Sequence, residues 1–174
     1  MVWFTNKHDL DYLASKKIID RDKAIFTPGF IDTELYSPSS VSKDVSTNLR
    51  HELGYAANDK IIIMVARMSW AKGIEQFCQA SDRLRKRYPL VKFLLVGQED
   101  IGSLDSVPKS YLKGYEEYAN FAWLSYRVDI LALYSISYLA VFPSYYREGG
   151  WPRGLIEPMA MGKPVITTDN EHCS

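Results

Sequence analysis

Cysteine is scarce in this chain, with only Cys78 and Cys173 in 174 residues and no CxxC spacing. That excludes a disulfide-stapled scaffold. With only His8, His51 and His172 to join them, the cysteines also lack the spacing of a zinc site. Both thiols are expected to be reduced, as in a cytoplasmic protein. Net charge is absent as well, since Lys plus Arg and Asp plus Glu number 21 each. A balanced chain has no overall field drawing it onto nucleic acid or an anionic bilayer, so any anion it binds is held by local groups. No apolar run approaches the roughly 18 residues that span a bilayer. Residues 1–4 are too short for a signal peptide and are followed at once by Asn6, Lys7, His8 and Asp9.

What is present is apolar and aromatic. Hydrophobic residues make up 47% and aromatics 13%, which implies a packed interior and not disorder. The length suits one core, or one domain with part of another. Residues 2–5 read as a short buried strand, Asn6 as the N-cap of a helix through Leu10, Leu13 and Ala14, and 24–26 as a second strand before the Thr27-Pro28-Gly29 breaker. A linker at 37–40 precedes a polar helix stopped by Gly54. From Lys60 the apolar runs 61–66, 93–96, 121–124, 138–142 and 165–166 are continuous, not alternating. Continuous runs mark strands covered on both faces, and the segments between them are long enough for helical crossovers. The expected fold is α/β, a Rossmann-like parallel sheet with helices on both faces. The Arg83, Arg85, Lys86 and Arg87 run near the end of the first crossover helix reads as a solvated face at a helix C-terminus.

Ligands of open parallel sheets bind beyond the carboxyl ends of the strands, so the residues after each strand carry the functional signal. Arg67 follows the first strong strand, and Lys72 stands near the start of the next helix. A cation there opposes the helix macrodipole, a conflict that an anion would remove. A guanidinium fork and an ammonium together suit a diphosphate. After the fourth strong strand, Glu148 precedes Gly149 and Gly150, which permit close backbone approach to a ligand. Because Pro158 belongs near a helix start, the following helix is expected to begin around Gly154. Its free first-turn amides, at Gly154 and Leu155, would then face a phosphate. Glu157 in that turn either caps the helix or accepts from ribose hydroxyls.

The Arg67…Lys72-Gly73 segment and the Glu148…Glu157-Pro-Met-Ala-Met-Gly-Lys-Pro-Val-Ile segment, in this order, resemble the retaining GT-B glycosyltransferases of family 4. The likeness covers about residues 60–169. Arg147-Glu148-Gly149 followed by Pro152-Arg153 is most similar to members that build polysaccharides and lipid-linked oligosaccharides. Arg127-Val128-Asp129 before the strand ending in Phe142-Pro143-Ser144 also fits the family pattern. The resemblance implies that Arg67 and Lys72 bind the donor diphosphate and that Glu157 accepts from the ribose. Glu148 with the Gly149 and Gly150 amides would orient the sugar, and Gly97 and the stretch around Arg127 would line the nucleotide pocket. It further implies a UDP-, GDP- or ADP-sugar donor, no metal or other cofactor, and front-face transfer with retention. The full enzyme would work in the cytoplasm, with peripheral contact at the inner face of the membrane open to it.

Under the same resemblance, residues 1–36 would be the last strand–helix–strand of an acceptor-side domain or an interdomain segment. Residues 37–57 would be a linker with its polar helix, and 58–174 a donor domain lacking its closing helices. The acceptor domain would be missing, and the isolated fragment inactive. Eight residues separate Glu148 from Glu157, one more than the family's usual spacing, and the extra one falls in Gly149-Gly150-Trp151. Two other readings stand beside the transferase: a nucleotide-sugar-binding regulatory module without transfer, and a different GT-B reaction such as an epimerase or phosphorylase. Asp9-Leu10-Asp11 spells the DxD metal motif of another transferase fold, but residues two apart on a helix do not face each other. The three histidines read as surface or capping residues without visible partners.

Overall fold

A computed structural model describes residues 1–169 of the chain. At the N-terminus β1 (Val2–Phe4), α1 (Lys7–Ser15) and β2 (Ala24–Phe26) make a small parallel β–α–β unit. Asn6 caps α1 as expected, its Oδ1 accepting from the amides of His8 at 2.7 Å and Asp9 at 3.2 Å. The chain then enters α2 (Lys43–Glu52), capped by Ser42.

The main sheet is built from β3 (Lys60–Val65), β4 (Val91–Val96), β5 (Phe121–Leu124), β6 (Leu139–Phe142) and β7 (Val165–Thr167). These alternate with α3 (Ile74–Arg85), α4 (Lys109–Glu116), α5 (Ile130–Ile136) and α6 (Arg153–Ala160). All five strands are parallel, in the order β5-β4-β3-β6-β7. The chain thus winds outward from β3 to one edge, then crosses back to fill the other side. The order reverses between β3 and β6, the crevice where doubly wound sheets hold ligands.

Period-two geometry sorts the side chains of each strand between two cores. Ile61 and Ile63 of β3 join Leu94 and Val96 of β4 under α2 and α5, with Leu49, Leu133 and Ile136. Met64 joins Phe93 and Leu95 under α3 and α4, with Phe77, Cys78 and Leu112. Burying both faces is why the strands read as continuous apolar runs. Burial pushes the Cys78 thiol up to about 12, the neighbouring Glu75 adding to the effect. Cys78 is therefore an inert core residue, while Cys173 lies outside the described residues.

One expectation about α6 is corrected. The helix begins at Arg153, within a residue of the expected start, but Pro158 lies inside it. Glu157 accordingly falls beyond the first turn, which holds no acidic residue. What sets the position of α6 is Gly154. A Cβ there would lie 2.6 Å from the Val65 carbonyl oxygen and 2.9 Å from the Phe142 ring, so only glycine lets the helix start press against the switch point. Gly154→Ala is expected to destabilise the chain by about 1–3 kcal/mol through overpacking against backbone, read as a lower urea midpoint with unchanged slope.

Candidate functional site

The loops leaving β3 and β6 meet over the crevice. After Arg67 the chain makes a 3-10 turn, Trp70–Lys72, and Gly73 breaks it with φ 83° before α3 starts. A Cβ on Gly73 would lie 2.3 Å from the Pro143 carbonyl oxygen, so the two loops touch backbone to backbone. The amides of Tyr145 and Tyr146 both donate to the Ala71 carbonyl, at 3.0 and 3.1 Å.

This contact delivers Lys72 to Glu148. The ammonium donates to both carboxylate oxygens, at 2.6 and 2.8 Å, and both residues are buried, with 9% and 8% exposure. The Ser144 hydroxyl donates to Glu148 Oε1 at 2.8 Å. The ring of Tyr146 stands 4.9 Å from the ammonium and that of Phe142 5.7 Å, both within cation–π range. The ammonium is thus countered by a carboxylate of the chain itself. Glu148, which no local structural role explained in the sequence, has one here.

The other expected residues are placed separately. Arg67 leans toward β4 and donates to both oxygens of Asp100, at 3.2 and 3.1 Å, with its side chain mostly exposed. Asp100 lines a cavity of about 460 Å³ with Gln98, Glu99, Lys109, Trp123 and Ser125. Gly97 is not itself in the lining, but its carbonyl accepts from the indole of Trp123, which is, at 2.9 Å. Arg127 does not line this cavity. It pairs with Asp129 at 2.5 and 2.7 Å and with Glu52 at 3.6 Å, and it holds the Asp129 carboxyl below its usual range. An acceptor two residues away holds the guanidinium.

Glu157 is buried and accepts from Arg153 Nε at 2.7 Å and from the Tyr36 hydroxyl at 3.1 Å. Burial, and then Glu157, push the Tyr134 hydroxyl well above its ordinary range. Leu155 is corrected: its amide donates to the Pro152 carbonyl at 3.0 Å and is not open to a phosphate. Gly149 uses its carbonyl to accept from the Thr5 hydroxyl at 2.6 Å, and Gly150 lies against the same Thr5.

Tyr36 and Ser144 were missed by sequence reading. Ser144 was within reach, because it stands two residues after the strand run that ends at Phe142. Tyr36 was not, since 121 positions separate it from Glu157. The DxD pair is engaged elsewhere, Asp9 by Arg147 and Asp11 by Lys7 and Arg21. Among the described residues no cluster of three or more potential metal ligands occurs, and no helix is long and apolar enough to cross a membrane. His8 contradicts its solitary reading by contacting Arg147 through Nδ1 at 2.9 Å.

Residues 45–174 match the family model of the glycosyl transferases group 1. The chain belongs to this family. Its parallel sheet is that of GT-B glycosyltransferases. The chain is also similar to a Campylobacter jejuni protein, an N,N'-diacetylbacillosaminyl-diphospho-undecaprenol alpha-1,3-N-acetylgalactosaminyltransferase. It is 30% identical over 113 residues, covering 65% of this chain and 27% of that protein. A Streptococcus pneumoniae alpha-galactosylglucosyldiacylglycerol synthase is 24% identical over 161 residues, covering 87% of this chain and 39% of that one. Among solved structures, a Rickettsia africae glycosyltransferase superposes with TM-score 0.82 at 22% identity, covering 99% of this chain and 45% of its own. Anabaena HepE, solved with UDP-glucose, has TM-score 0.77 at 23% identity, covering 97% and 44% respectively. The chain thus spans less than half the length of these relatives.

The two ion pairs of this group 1 crevice differ in what their loss costs. Glu148→Ala leaves a buried ammonium without its carboxylate and is expected to destabilise by about 3 kcal/mol. Arg67→Ala breaks a solvent-exposed pair and is expected to change stability by less than about 0.5 kcal/mol. Urea denaturation of both variants tests this ordering.

Proposed function

We propose that the chain is the donor-binding part of a longer, retaining glycosyltransferase of family 4 and holds a nucleotide-diphosphate sugar in the crevice between β3 and β6. The observation that carries this reading is the buried Lys72–Glu148 pair, with its 2.6 Å contact at the point where strand order reverses. A buried ion pair contributes little net stability, so packing alone gives small reason to keep one where ligands enter. Lys72 would share its charge between Glu148 and the donor diphosphate, and Arg67 would swing from Asp100 to the same phosphates. Both cations would then stabilise the charge growing on the leaving nucleotide. With two cations in that role no divalent ion is needed.

Glu148 and the backbone around Gly149 and Gly150 would orient the transferred sugar, and the Gly154 amide would face a phosphate. Glu157 would accept from ribose hydroxyls, replacing the hydrogen bond it takes from Tyr36. The cavity beside Gly97 and Trp123 would take the base. The acceptor would come from a partner domain, in a cytoplasmic enzyme of polysaccharide or lipid-linked glycan synthesis. The C. jejuni and S. pneumoniae relatives, named for a diphospho-undecaprenol glycan and a glycosyldiacylglycerol, support this class.

Titration of the chain with UDP, GDP and ADP tests the site. One nucleotide is expected to bind, and Lys72→Ala and Glu157→Ala are each expected to weaken it by about tenfold or more, as for loss of a charge-assisted contact. Equal affinities in the unaltered chain and both variants, with folding confirmed by circular dichroism, would sink the assignment.

A further inference from the structure

Arg147 and Glu148 are adjacent, yet their side chains leave the loop in opposite directions. Glu148 turns inward to Lys72, whereas Arg147 reaches out to the start of α1. There its guanidinium donates to Asp9 Oδ1 and to His8 Nδ1, the latter at 2.9 Å. Arginine has no acceptor, so His8 Nδ1 accepts and its imidazole carries its proton on Nε2. Two further contacts join the same loop to the same unit. The Thr5 hydroxyl donates to the Gly149 carbonyl at 2.6 Å, and Trp151 lies against Gly29, where an added Cβ would stand 3.4 Å away.

The loop needs such ties. Gly149 and Gly150 follow Glu148 directly, and consecutive glycines carry the largest backbone entropy to be lost on ordering. Asp9 is not required as a cap, because Asn6 already accepts from the first-turn amides of α1. We propose that Arg147 is a positioning residue, tying the loop that carries Glu148 to the β–α–β unit and so setting affinity for the sugar half of a nucleotide-sugar donor. The proposal rests on the donor-site reading above and adds a residue to it. Asp9 and His8 lie outside the matched residues 45–174, so the tie links the family region to the unit before it.

The specific consequence is a split between two ligands. Glu148 faces the sugar under this reading, while Glu157 is held by Arg153 and Tyr36, away from the tie. The experiment measures UDP and UDP-glucose, GDP and GDP-mannose, and ADP and ADP-glucose binding to the 174-residue chain, its Arg147→Ala and Asp9→Ala variants, the double variant, and the exchange Arg147→Asp with Asp9→Arg. Hydrogen exchange of the amides at 148–151 is followed in each protein without ligand. The pair is half exposed, with side-chain exposures of 59% and 42%, so a loss of about fivefold is expected. That loss appears in nucleotide-sugar affinity, with nucleotide affinity unchanged and faster exchange at 148–151. The double variant loses no more than either single one, and the exchange of charges restores most of both readouts. Equal losses for nucleotide and nucleotide sugar, additive losses, or unchanged exchange at 148–151 would each overturn the proposal. If Arg147→Ala is silent while Lys72→Ala still weakens nucleotide binding about tenfold or more, this inference fails and the donor site stands. If the unaltered chain binds no nucleotide, both fall.

Discussion

An ammonium held almost wholly out of water requires a counter-charge within contact distance, and much of the loop architecture at the switch point answers to that requirement for Lys72. The pairing with Glu148 needs the loop after β3 to end in a tight turn and the loop after β6 to fold back over it. Gly73 permits the first by taking a left-handed conformation against the Pro143 carbonyl. The amides of Tyr145 and Tyr146 secure the second by bonding Ala71. Ser144 and the rings of Phe142 and Tyr146 complete a shell that neither strand supplies alone.

The balance of charge in the sequence is also a balance of pairs in space. Arg67 meets Asp100, Lys72 meets Glu148, Arg127 meets Asp129 and Arg153 meets Glu157. Exposed pairs are weak and screened, and Arg67 and Arg153 keep most of their side chains in solvent. Lys72 is different, because it is buried with both oxygens of one carboxylate in contact. The carboxyl end of the sheet thus carries exposed and buried pairs together.

The small β–α–β unit takes part in this arrangement from outside the main sheet. Thr5, His8, Asp9 and Gly29 all touch the segment from Arg147 to Trp151. The extra residue in the Glu148 to Glu157 spacing falls within that segment, where one side of the loop packs on this unit. The loop's conformation is therefore shared between two parts of the chain.

Local pattern sufficed for the parallel sheet and its crossovers. Burial on both faces leaves continuous apolar runs, and those runs agree with the strands to within a residue or two. Pattern also drew notice to Lys72, Glu148 and Glu157 as residues that follow strands, and all three are buried in ion pairs there. It did not reveal that the Leu155 amide is consumed by the turn at Pro152, or that Arg127 pairs with an acceptor two residues away. It could not supply Tyr36 beneath Glu157 or Asp9 beside Arg147, since nothing local marks a partner more than a hundred residues distant. The sequence by itself determined which residues follow each strand. Only the tertiary structure decided which of those charges neutralise one another, because pairing depends on loops from different strands meeting, and that depends on strand order.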